Sequence, residues 1–298
     1  MLHNGLLLTL IFRAQINTAL LLHCFEKRAV PPVLHCSTMN KDTDDLPEIS
    51  SALTAILRQA GHVVVFTGAG VSAESGIPTF RDALTGLWEN FDPEKLATPA
   101  AFLRDPSLVW GWYEWRRKMV MQAQPNPAHR AIARLAALVP RLTVITQNVD
   151  DLHERAGSAD VIHLHGSFFA PRCFACCRSH EFPAGQPDEP EGGRRLDPPR
   201  CAYCGDLVRP GVVWFGESLP EHSFRQAAAA ASTCDVLFSI GTSAVVYPAA
   251  ALPFEAAGAG AAVIQVNPTA TDLDRVAQHN LHGPAGIVME RLIRQVWP

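Results

Sequence analysis

The chain has 298 residues, of which 48% are hydrophobic and 18% are charged, so it can bury a substantial core in one or two domains. Its net charge of −4 argues against nucleic-acid binding, because such proteins carry a basic footprint. Its eight cysteines show no evident disulfide framework, so we expect a reducing compartment, the cytoplasm. We also expect a monomer and no membrane attachment.

Residues 1–38 form an amino-terminal leader that needs separate treatment. Its apolar stretch from Gly5 to Phe12 is too short to span a bilayer and lacks the basic start of a secretory signal. Few basic residues and almost no serine argue against a mitochondrial transit peptide. A mitochondrial location is nevertheless the alternative to the cytoplasm. Because Met39 directly precedes a polar run, we expect the functional chain to start there, after a disordered tail or a misassigned start.

From Leu46 onward the chain alternates between helical and strand patterns. Helices are predicted at 49–57, 126–138, 223–231 and 248–257, and strands at 62–66, 142–146, 235–240 and 262–266. The second of these helices starts at Asn126-Pro127, a residue pair that is typical of a capped helix start. This alternation predicts an α/β fold with a doubly wound, Rossmann-like parallel sheet.

A glycine-rich loop follows the first predicted strand. Residues 67–73, Thr-Gly-Ala-Gly-Val-Ser-Ala, match G-x-G-x-x-A. In that motif Gly68 makes a tight turn, Gly70 lets the backbone approach a pyrophosphate at a helix amino terminus, and Ala73 lets that helix pack closely. Alone the match is weak, because glycines often form plain turns after strands. The acidic residue expected about 20 positions further on is also missing.

Two Cys-x-x-Cys pairs, Cys173 with Cys176 and Cys201 with Cys204, have the spacing of a four-thiolate Zn2+ site. Four ligands leave no open position, so the zinc would be structural. Cys177 follows Cys176 directly, but the symmetrical spacing favours Cys176. Residues 168–210 are rich in Pro, Gly, Arg and Cys and poor in apolar residues, so we expect a zinc module inserted into the larger domain.

Together these motifs resemble the sirtuins, the NAD-dependent protein deacylases. The resemblance covers roughly residues 45–298. It rests, in the family's order, on 68–81, 146–150, 164–166, both cysteine pairs, 212–217 and 241–243. It implies a catalytic domain at 39–298, with Rossmann-like parts at 45–167 and 211–298. It also implies NAD as co-substrate and acylated-lysine proteins or peptides as partners.

The resemblance implies roles for single residues. His165, directly before Gly166, would be the general base, with Asn148 also catalytic. His163 would point the same way along an extended segment, but we expect it to be a polar strand end. Asp150 would hold the nicotinamide carboxamide with Ile77; its alternative role is a helix N-cap. The expected NAD-binding residues are Gly68, Ala69, Gly70, Ala73, Ile77, Phe80, Arg81, Gln147, Asn148, Asp150, Gly241, Thr242, Ser243, Asn267 and Ala285.

The implied mechanism transfers an acyl group to a sugar. The oxygen of an acylated lysine attacks the nicotinamide ribose and nicotinamide leaves. His165 then removes a ribose hydroxyl proton, and water finally releases lysine and O-acyl-ADP-ribose. The peptide would lie as an added strand along Val212, Trp214, Phe215 and Gly216, with Trp214 against the lysine stem.

The helix pattern around Trp112–Arg117 bears on the acyl group. Tyr113 and Arg116 are three positions apart and share a helix face, whereas Glu114 and Arg117 point elsewhere. A guanidinium binds a carboxylate through two parallel hydrogen bonds, which an acetyl group cannot offer. Tyr-x-x-Arg also resembles the signature of sirtuins that remove succinyl, malonyl and glutaryl groups. The alternative is that this cluster is a solvated helix face.

Two features affect this interpretation. Ala73 would leave room near the acyl pocket, which suits a large acyl group. By contrast, residues 82–88 depart from the commoner glycine-rich form of the loop. Other functions stay open: a general protein-lysine deacetylase, a mono-ADP-ribosyltransferase, or a zinc-ribbon binding protein without catalysis. The intact glycine loop, Asn148, Asp150 and His165 argue against the last of these.

Overall fold

The computed structural model describes residues 47–79, 91–182, 185 and 187–298. The strands are β1 Val63–Thr67, β2 Leu142–Thr146, β3 Ile162–His163, β4 Arg172–Cys173, β5 Val208–Arg209, β6 Val236–Ile240, β7 Ala262–Asn267 and β8 His279–His282. The α-helices are α1 Ser51–Gln59, α2 Gly70–Ala73, α3 Pro93–Leu96, α4 Pro99–Arg104, α5 Pro106–Gln122, α6 Pro127–Leu135, α7 Leu152–Arg155, α8 Glu221–Ala231, α9 Leu252–Gly258 and α10 Ala285–Val296. Short 3-10 turns lie at Ala249–Ala251 and Asp272–Arg275.

The main sheet has six parallel strands in the order β3-β2-β1-β6-β7-β8. The order reverses between β1 and β6, and in open α/β sheets ligands bind at the carboxyl ends of the strands beside such a point. The predicted doubly wound Rossmann-like sheet is therefore confirmed.

Both faces of this sheet are covered, which explains why every residue of β1 is buried. Val63 and Val65 pack with α1, α6 and α10 in one apolar cluster. Val64 and Phe66 point to the opposite face and pack with α8 and α9. Successive side chains of a strand alternate between faces, so one apolar run contributes to both cores.

Several helices begin with a capping side chain followed by proline. Thr98, Asp105 and Asn126 cap α4, α5 and α6, and each accepts a hydrogen bond from a first-turn amide at 2.9 to 3.1 Å. The following proline needs no acceptor there and already has the helical φ. The predicted start of α6 is confirmed, but its predicted end at Leu138 is wrong. α6 ends at Leu135, and Pro140 follows closely.

Other predicted boundaries also shift for physical reasons. The strand predicted from Asp235 begins at Val236, because the Asp235 carboxylate instead accepts the amides of Gly61 and His62, both at 2.8 Å. The helix predicted at 248–257 is divided between a 3-10 turn and α9, in whose first turn Pro253 lies. β8 and α10 were not predicted.

A second, two-stranded antiparallel sheet pairs β4 with β5 within the zinc module. A third apolar cluster lies outside the main sheet and joins α4 and α5 to Phe168, Val212 and Trp214. The predicted site residues Ile77, Tyr113 and Trp214 belong to this cluster. Within the described residues, we find no helix long and apolar enough to cross a bilayer.

Candidate active site

Two loops meet backbone to backbone where β1 and β6 end. The Gly70 amide donates to the Gly241 carbonyl at 2.8 Å. A Cβ at Gly70 would lie 2.7 Å from that carbonyl oxygen, and one at Gly68 would lie 2.8 Å from the Cβ of Thr242. Gly241 itself has a φ of +62°. Glycine is required here because any side chain would separate the loops that line the carboxyl edge of the sheet.

The loop then enters α2, which is a single turn from Gly70 to Ala73 rather than the long helix of an ordinary dinucleotide fold. Ala73 is exposed at the end of that turn. The close helix packing predicted for Ala73 from the G-x-G-x-x-A motif is therefore wrong. Its expected place beside the acyl pocket stays a prediction.

Ser72 links two of the predicted site residues. Its hydroxyl donates to Asp150 Oδ2 at 3.0 Å and accepts from Asn148 Nδ2 at 3.0 Å. The other oxygen of Asp150 accepts the Leu152 amide at 3.1 Å, but the N-cap of α7 is Asp151, so the alternative of Asp150 as the N-cap is wrong. Burial raises the pKa of Asp150. Ser72 was not among the residues predicted from the sequence, because nothing in the glycine loop distinguishes it from a spacer.

Gln147 connects the end of β2 to the loop after β6. Its side-chain amide donates to Thr242 Oγ1 at 3.1 Å, and the same hydroxyl oxygen accepts the Ala244 amide at 3.2 Å. Ser243 lies between these two residues in the chain. Asn148, Gln147 and Thr242 thus present amides and a hydroxyl at one edge, a set of groups that suits ribose hydroxyls and a carboxamide.

His165 follows β3 and is half buried. Its Nδ1 lies 3.0 Å from the Gln147 carbonyl oxygen. A carbonyl can only accept, so Nδ1 carries the proton and Nε2 keeps a lone pair when the ring is neutral. Burial lowers the pKa of His165, partly offset by that hydrogen bond. This tautomer is the one that a general base requires.

His163 lies two residues earlier and differs from His165 in its partners. Its Nδ1 faces the Asn148 carbonyl at 3.1 Å, and its Nε2 faces the Glu154 carboxylate at 2.6 Å. Burial is the largest single effect and would lower the pKa of His163, but the hydrogen bond to Glu154, the charge of Glu154 and the bond to the Asn148 carbonyl together outweigh it and raise the pKa. With an acceptor at each nitrogen, His163 is suited to hold a proton rather than to remove one.

Two further histidines lie beneath this edge and are buried, whereas a surface or capping position is the simplest expectation for a histidine outside the predicted site. His129 on α6 and His153 on α7 contact each other, with ring centroids 4.9 Å apart. His153 Nε2 lies 3.0 Å from Thr67 Oγ1, and His129 Nε2 lies 3.4 Å from Ser72 Oγ. Burial lowers the pKa of His129 to about 4 and of His153 to about 3. Both are therefore neutral parts of the support for the site.

The segment Val212–Gly216 runs past His165. The Val213 amide donates to the His165 carbonyl at 2.8 Å, and the Phe215 amide donates to the Ala97 carbonyl at 2.9 Å. The Trp214 amide donates to Glu217 Oε2 at 2.9 Å. Three successive amides are thus used within the chain, so a substrate peptide added here would pair through other main-chain groups.

Tyr113 belongs to the third apolar cluster, and Arg116 contacts two rings of that cluster. Tyr113 is 3% exposed and Arg116 is 8% exposed, so the alternative of a solvated helix face is wrong. The Arg116 guanidinium lies over the rings of Trp112 and Phe168, at 5.0 and 5.5 Å from their centroids. Burial lowers the pKa of Arg116, which Tyr113 and Asp150 partly counteract.

Glu114 and Arg117, expected to point away from this pair, form their own buried ion pair at 2.8 Å. Ile77 is buried in the same cluster as Tyr113. Phe215 is 43% exposed, and Gly216 adopts a φ of +86° in the turn that follows.

The far end of the candidate NAD site is formed by β7 and α10. Asn267 ends β7 and donates from Nδ2 to the Thr269 carbonyl at 2.9 Å. Ala285 begins α10, and the neighbouring Gly286 amide donates to the Glu74 carboxylate at 2.8 Å. Glu74 follows α2, so this bond ties the expected adenine end to the glycine loop. Phe80 and Arg81, like residues 1–38 and 82–88, lie outside the described residues.

The four predicted zinc ligands converge. The sulfurs of Cys173, Cys176, Cys201 and Cys204 all lie within 4.8 Å of one another. Two of the sulfur pairs are 3.4 and 3.7 Å apart, close to the roughly 3.8 Å that tetrahedral Zn–S bonds of about 2.3 Å require. Cys177 is exposed and stands apart from this cluster, as the spacing predicted.

Comparisons with known proteins agree with this geometry. Residues 68–248 match the model of the Sir2 family. The chain is 65% identical over 247 residues to a Methylococcus capsulatus protein named NAD-dependent protein deacylase, covering 83% of this chain and 97% of that protein. A crystal structure of a Sir2 homologue–NAD complex matches with a TM-score of 0.76 at 47% identity, covering 84% and 94% of the two chains. A Sir2–p53 peptide–NAD+ structure matches with a TM-score of 0.70 at 29% identity, covering 84% and 98%.

Proposed function

This chain belongs to the Sir2 family and is an NAD-dependent protein deacylase, and from that premise we propose that it prefers acyl groups that end in a carboxylate: succinyl, malonyl and glutaryl. The observation that carries the proposal is the buried pair of Tyr113 and Arg116. General deacetylation is the alternative, because the rest of the site serves any acyl group.

The position of Arg116 supports this preference. A guanidinium that is 8% exposed keeps its charge in surroundings where charge is expensive to hold. Trp112 and Phe168 supply two ring faces to it, and the phenol of Tyr113 is a further polar group on the same helix face. An incoming carboxylate would add a charge-assisted, two-pronged hydrogen bond in a site with little competing water. An acetyl group offers no carboxylate with which this guanidinium could pair.

The remaining residues fit deacylation. NAD, when bound, supplies a ribose carbon from which nicotinamide leaves. Asn148 and Asp150, both hydrogen-bonded to Ser72, would orient the ribose and the carboxamide. His165 would take a ribose hydroxyl proton on Nε2, since its Nδ1 is hydrogen-bonded to Gln147. Trp214 would pack along the lysine stem of a protein substrate, a class to which the p53 peptide of the related structure belongs.

The test is to compare Arg116→Met with the wild-type enzyme on succinyl-, malonyl-, glutaryl- and acetyl-lysine peptides. Methionine keeps a similar length but removes the charge and the donors. Truncating one partner of a buried charge pair costs about 2 to 5 kcal/mol. Desuccinylation should therefore fall roughly 30-fold or more in kcat/KM, whereas deacetylation should hold or rise.

Two further variants sharpen the comparison. Arg116→Lys keeps the charge but not the planar fork, so its desuccinylation should lie between those of wild type and Arg116→Met. Arg134→Met removes an exposed arginine of α6 and should leave both activities unchanged. An equal loss of both activities in Arg116→Met would instead give Arg116 a structural role and make general deacetylation the better description.

A further inference from the structure

Helix α5, which carries Tyr113 and Arg116, is packed on two opposite faces by different parts of the chain. Each residue turns a helix by about 100°, so Tyr113 and Arg116 lie some 140° to 200° around the axis from Gly111. Ser107 and Lys118 lie on the same face as Gly111. One face therefore belongs to the candidate active site. The other is covered by residues 194–197 of the zinc module and, near its carboxyl end, by Glu189.

The amino end of α5 is bound to this part of the zinc module. Arg195 Nη1 and Nη2 donate to the two oxygens of Asp105 at 2.8 and 2.7 Å. Asp105 is also the N-cap of α5. The Leu196 amide donates to the Ser107 carbonyl at 3.0 Å, and the Ser107 hydroxyl donates to Asp197. A bidentate ion pair and a main-chain hydrogen bond thus hold the start of the helix in a defined orientation.

In the middle of this face, Gly111 lets the two backbones touch. A Cβ at Gly111 would lie 1.9 Å from the Arg194 carbonyl oxygen and 3.1 Å from the Leu196 nitrogen. Both atoms belong to backbone, which cannot rotate away as a side-chain end could. Gly111 lies inside a 17-residue helix, where glycine is usually about 1 kcal/mol less favourable than alanine. Its presence is explained by this close approach.

Further along α5, two more residues contact the zinc module: Lys118 on the face of Gly111, and Arg117 about 120° around the axis from Gly111. The Arg117 guanidinium lies 3.7 Å from the ring centroid of Phe182. Lys118 Nζ donates to the Glu189 carbonyl. Contacts with the zinc module therefore extend from Asp105 to Lys118, past the positions of both Tyr113 and Arg116.

We propose that residues 194–197 of the zinc module set the position of α5 and thereby determine acyl selectivity, with Gly111 and Arg195 as positioning residues. This inference rests on the proposed preference for acidic acyl groups. A bidentate pair between a guanidinium and a carboxylate depends on geometry, and a misplacement of about 1 Å can lower a rate up to 100-fold. An acetyl group makes no such pair, so it tolerates a displaced helix better.

The principal variant is Gly111→Ala in the zinc-loaded, full-length enzyme. Its added methyl must push α5 and residues 194–197 apart. The ratio of desuccinylation to deacetylation, each as kcat/KM, should fall by about 10-fold or more. Zinc content and the KM for NAD should stay as in wild type. Gly258→Ala is the matched control, because Gly258 also lies in a helix and its Cβ would meet no atom within 4 Å among the described residues.

A second variant tests the same idea without adding any atom. Arg195→Ala removes the bidentate pair with Asp105 and should lower the selectivity ratio in the same direction, by about 3-fold. Its control is Arg225→Ala, which removes a more exposed ion pair with Glu221 on α8 and should leave the ratio unchanged. Because Arg195 is itself largely exposed, this variant should fold even where Gly111→Ala does not.

Arg116→Met, measured in parallel, separates the two hypotheses. If Arg116→Met changes the ratio while both Gly111→Ala and Arg195→Ala leave it unchanged, the positioning role is wrong and the acyl preference stands. If Arg116→Met itself leaves the ratio unchanged, the preference is wrong and the inference falls with it. An equal loss of both activities in the folded Gly111→Ala or Arg195→Ala variants would show a merely structural contact.

Discussion

The indole nitrogen of Trp214 donates a hydrogen bond to the phenol oxygen of Tyr113 at 3.0 Å, across 101 positions of sequence. Both side chains are buried, and burial raises the pKa of Tyr113 far above its usual range, so the phenol stays neutral. The hydroxyl can still donate its own proton while it accepts from Trp214. Trp214, expected to contact the lysine stem, and Tyr113, expected to contact the acyl group, thus form one hydrogen-bonded unit.

Because of this hydrogen bond, Tyr113→Phe should affect stability and both deacylation activities. Phenylalanine removes the acceptor of the Trp214 indole, and an unsatisfied buried N–H costs about 1 to 3 kcal/mol. We expect a loss of stability of that order in urea unfolding. Deacetylation should fall together with desuccinylation, unlike in Arg116→Met. Tyr203→Phe, at a tyrosine that is 69% exposed in the zinc module, is the control and should change neither.

The second prediction concerns the base. His165→Ala should abolish lysine release while leaving zinc content and thermal unfolding close to wild type, because the ring acts on rate rather than on packing. His163→Ala should keep more activity, since its nitrogens face Glu154 and Asn148 rather than a substrate. Turnover with acyl-peptide and NAD is the measurement. Undiminished deacylation by His165→Ala would show that His165 is not the general base.

The pH dependence of the rate follows from the environment of His165. Burial holds the pKa of His165 below its ordinary 6.5, so the base stays neutral to lower pH than a free imidazole. The midpoint of the acid limb of the kcat/KM profile should therefore lie below pH 6.5. Rates measured on one peptide from pH 5 to 8 check this. A midpoint above 6.5 would contradict it, and would instead match the raised pKa of His163.

A fourth prediction concerns acid stability. His129 has a pKa of about 4 in the fold, against 6.5 in an unfolded chain, so the unfolded state binds the extra proton first. Neutral His129 makes its full contribution to the free energy of unfolding above pH 6.5. That contribution is lost as the pH falls towards 4, by roughly 3 kcal/mol for this group. Urea midpoints at pH 7 and pH 4.5 measure the loss. A urea midpoint at pH 4.5 as high as the midpoint at pH 7 would contradict the prediction.

The fifth prediction concerns the metal. Serine at Cys173, Cys176, Cys201 or Cys204 should lower the zinc stoichiometry and loosen residues 168–210, because this segment has too few apolar residues to hold its fold alone. Cys177→Ser should keep one zinc per chain, measured by atomic absorption. Loss of zinc in that variant would place Cys177 among the ligands.

Local patterns were enough to predict much of the fold. The β2 strand was predicted at its observed bounds, and Asn126-Pro127 marked the start of α6, because an apolar run or a capping pair acts over a few residues. The zinc ligands could likewise be predicted from the sequence, since a spacing of two residues between cysteines determines which sulfurs can meet. β8 was missed, because its sequence, His-Asn-Leu-His, has no apolar run and pairs only through its neighbour β7.

The sequence by itself determined the family, the parallel sheet, the four thiolates and the expected base, which depend on short motifs and on the alternation of helix and strand patterns along the chain. Only the tertiary structure decided the tautomer of His165, the exposure of Ala73, the bond between Tyr113 and Trp214, and the contact of Gly111 with Arg194. These features join atoms that are far apart along the chain. No periodicity records such contacts, because they arise when separate elements pack and bury one another's polar groups.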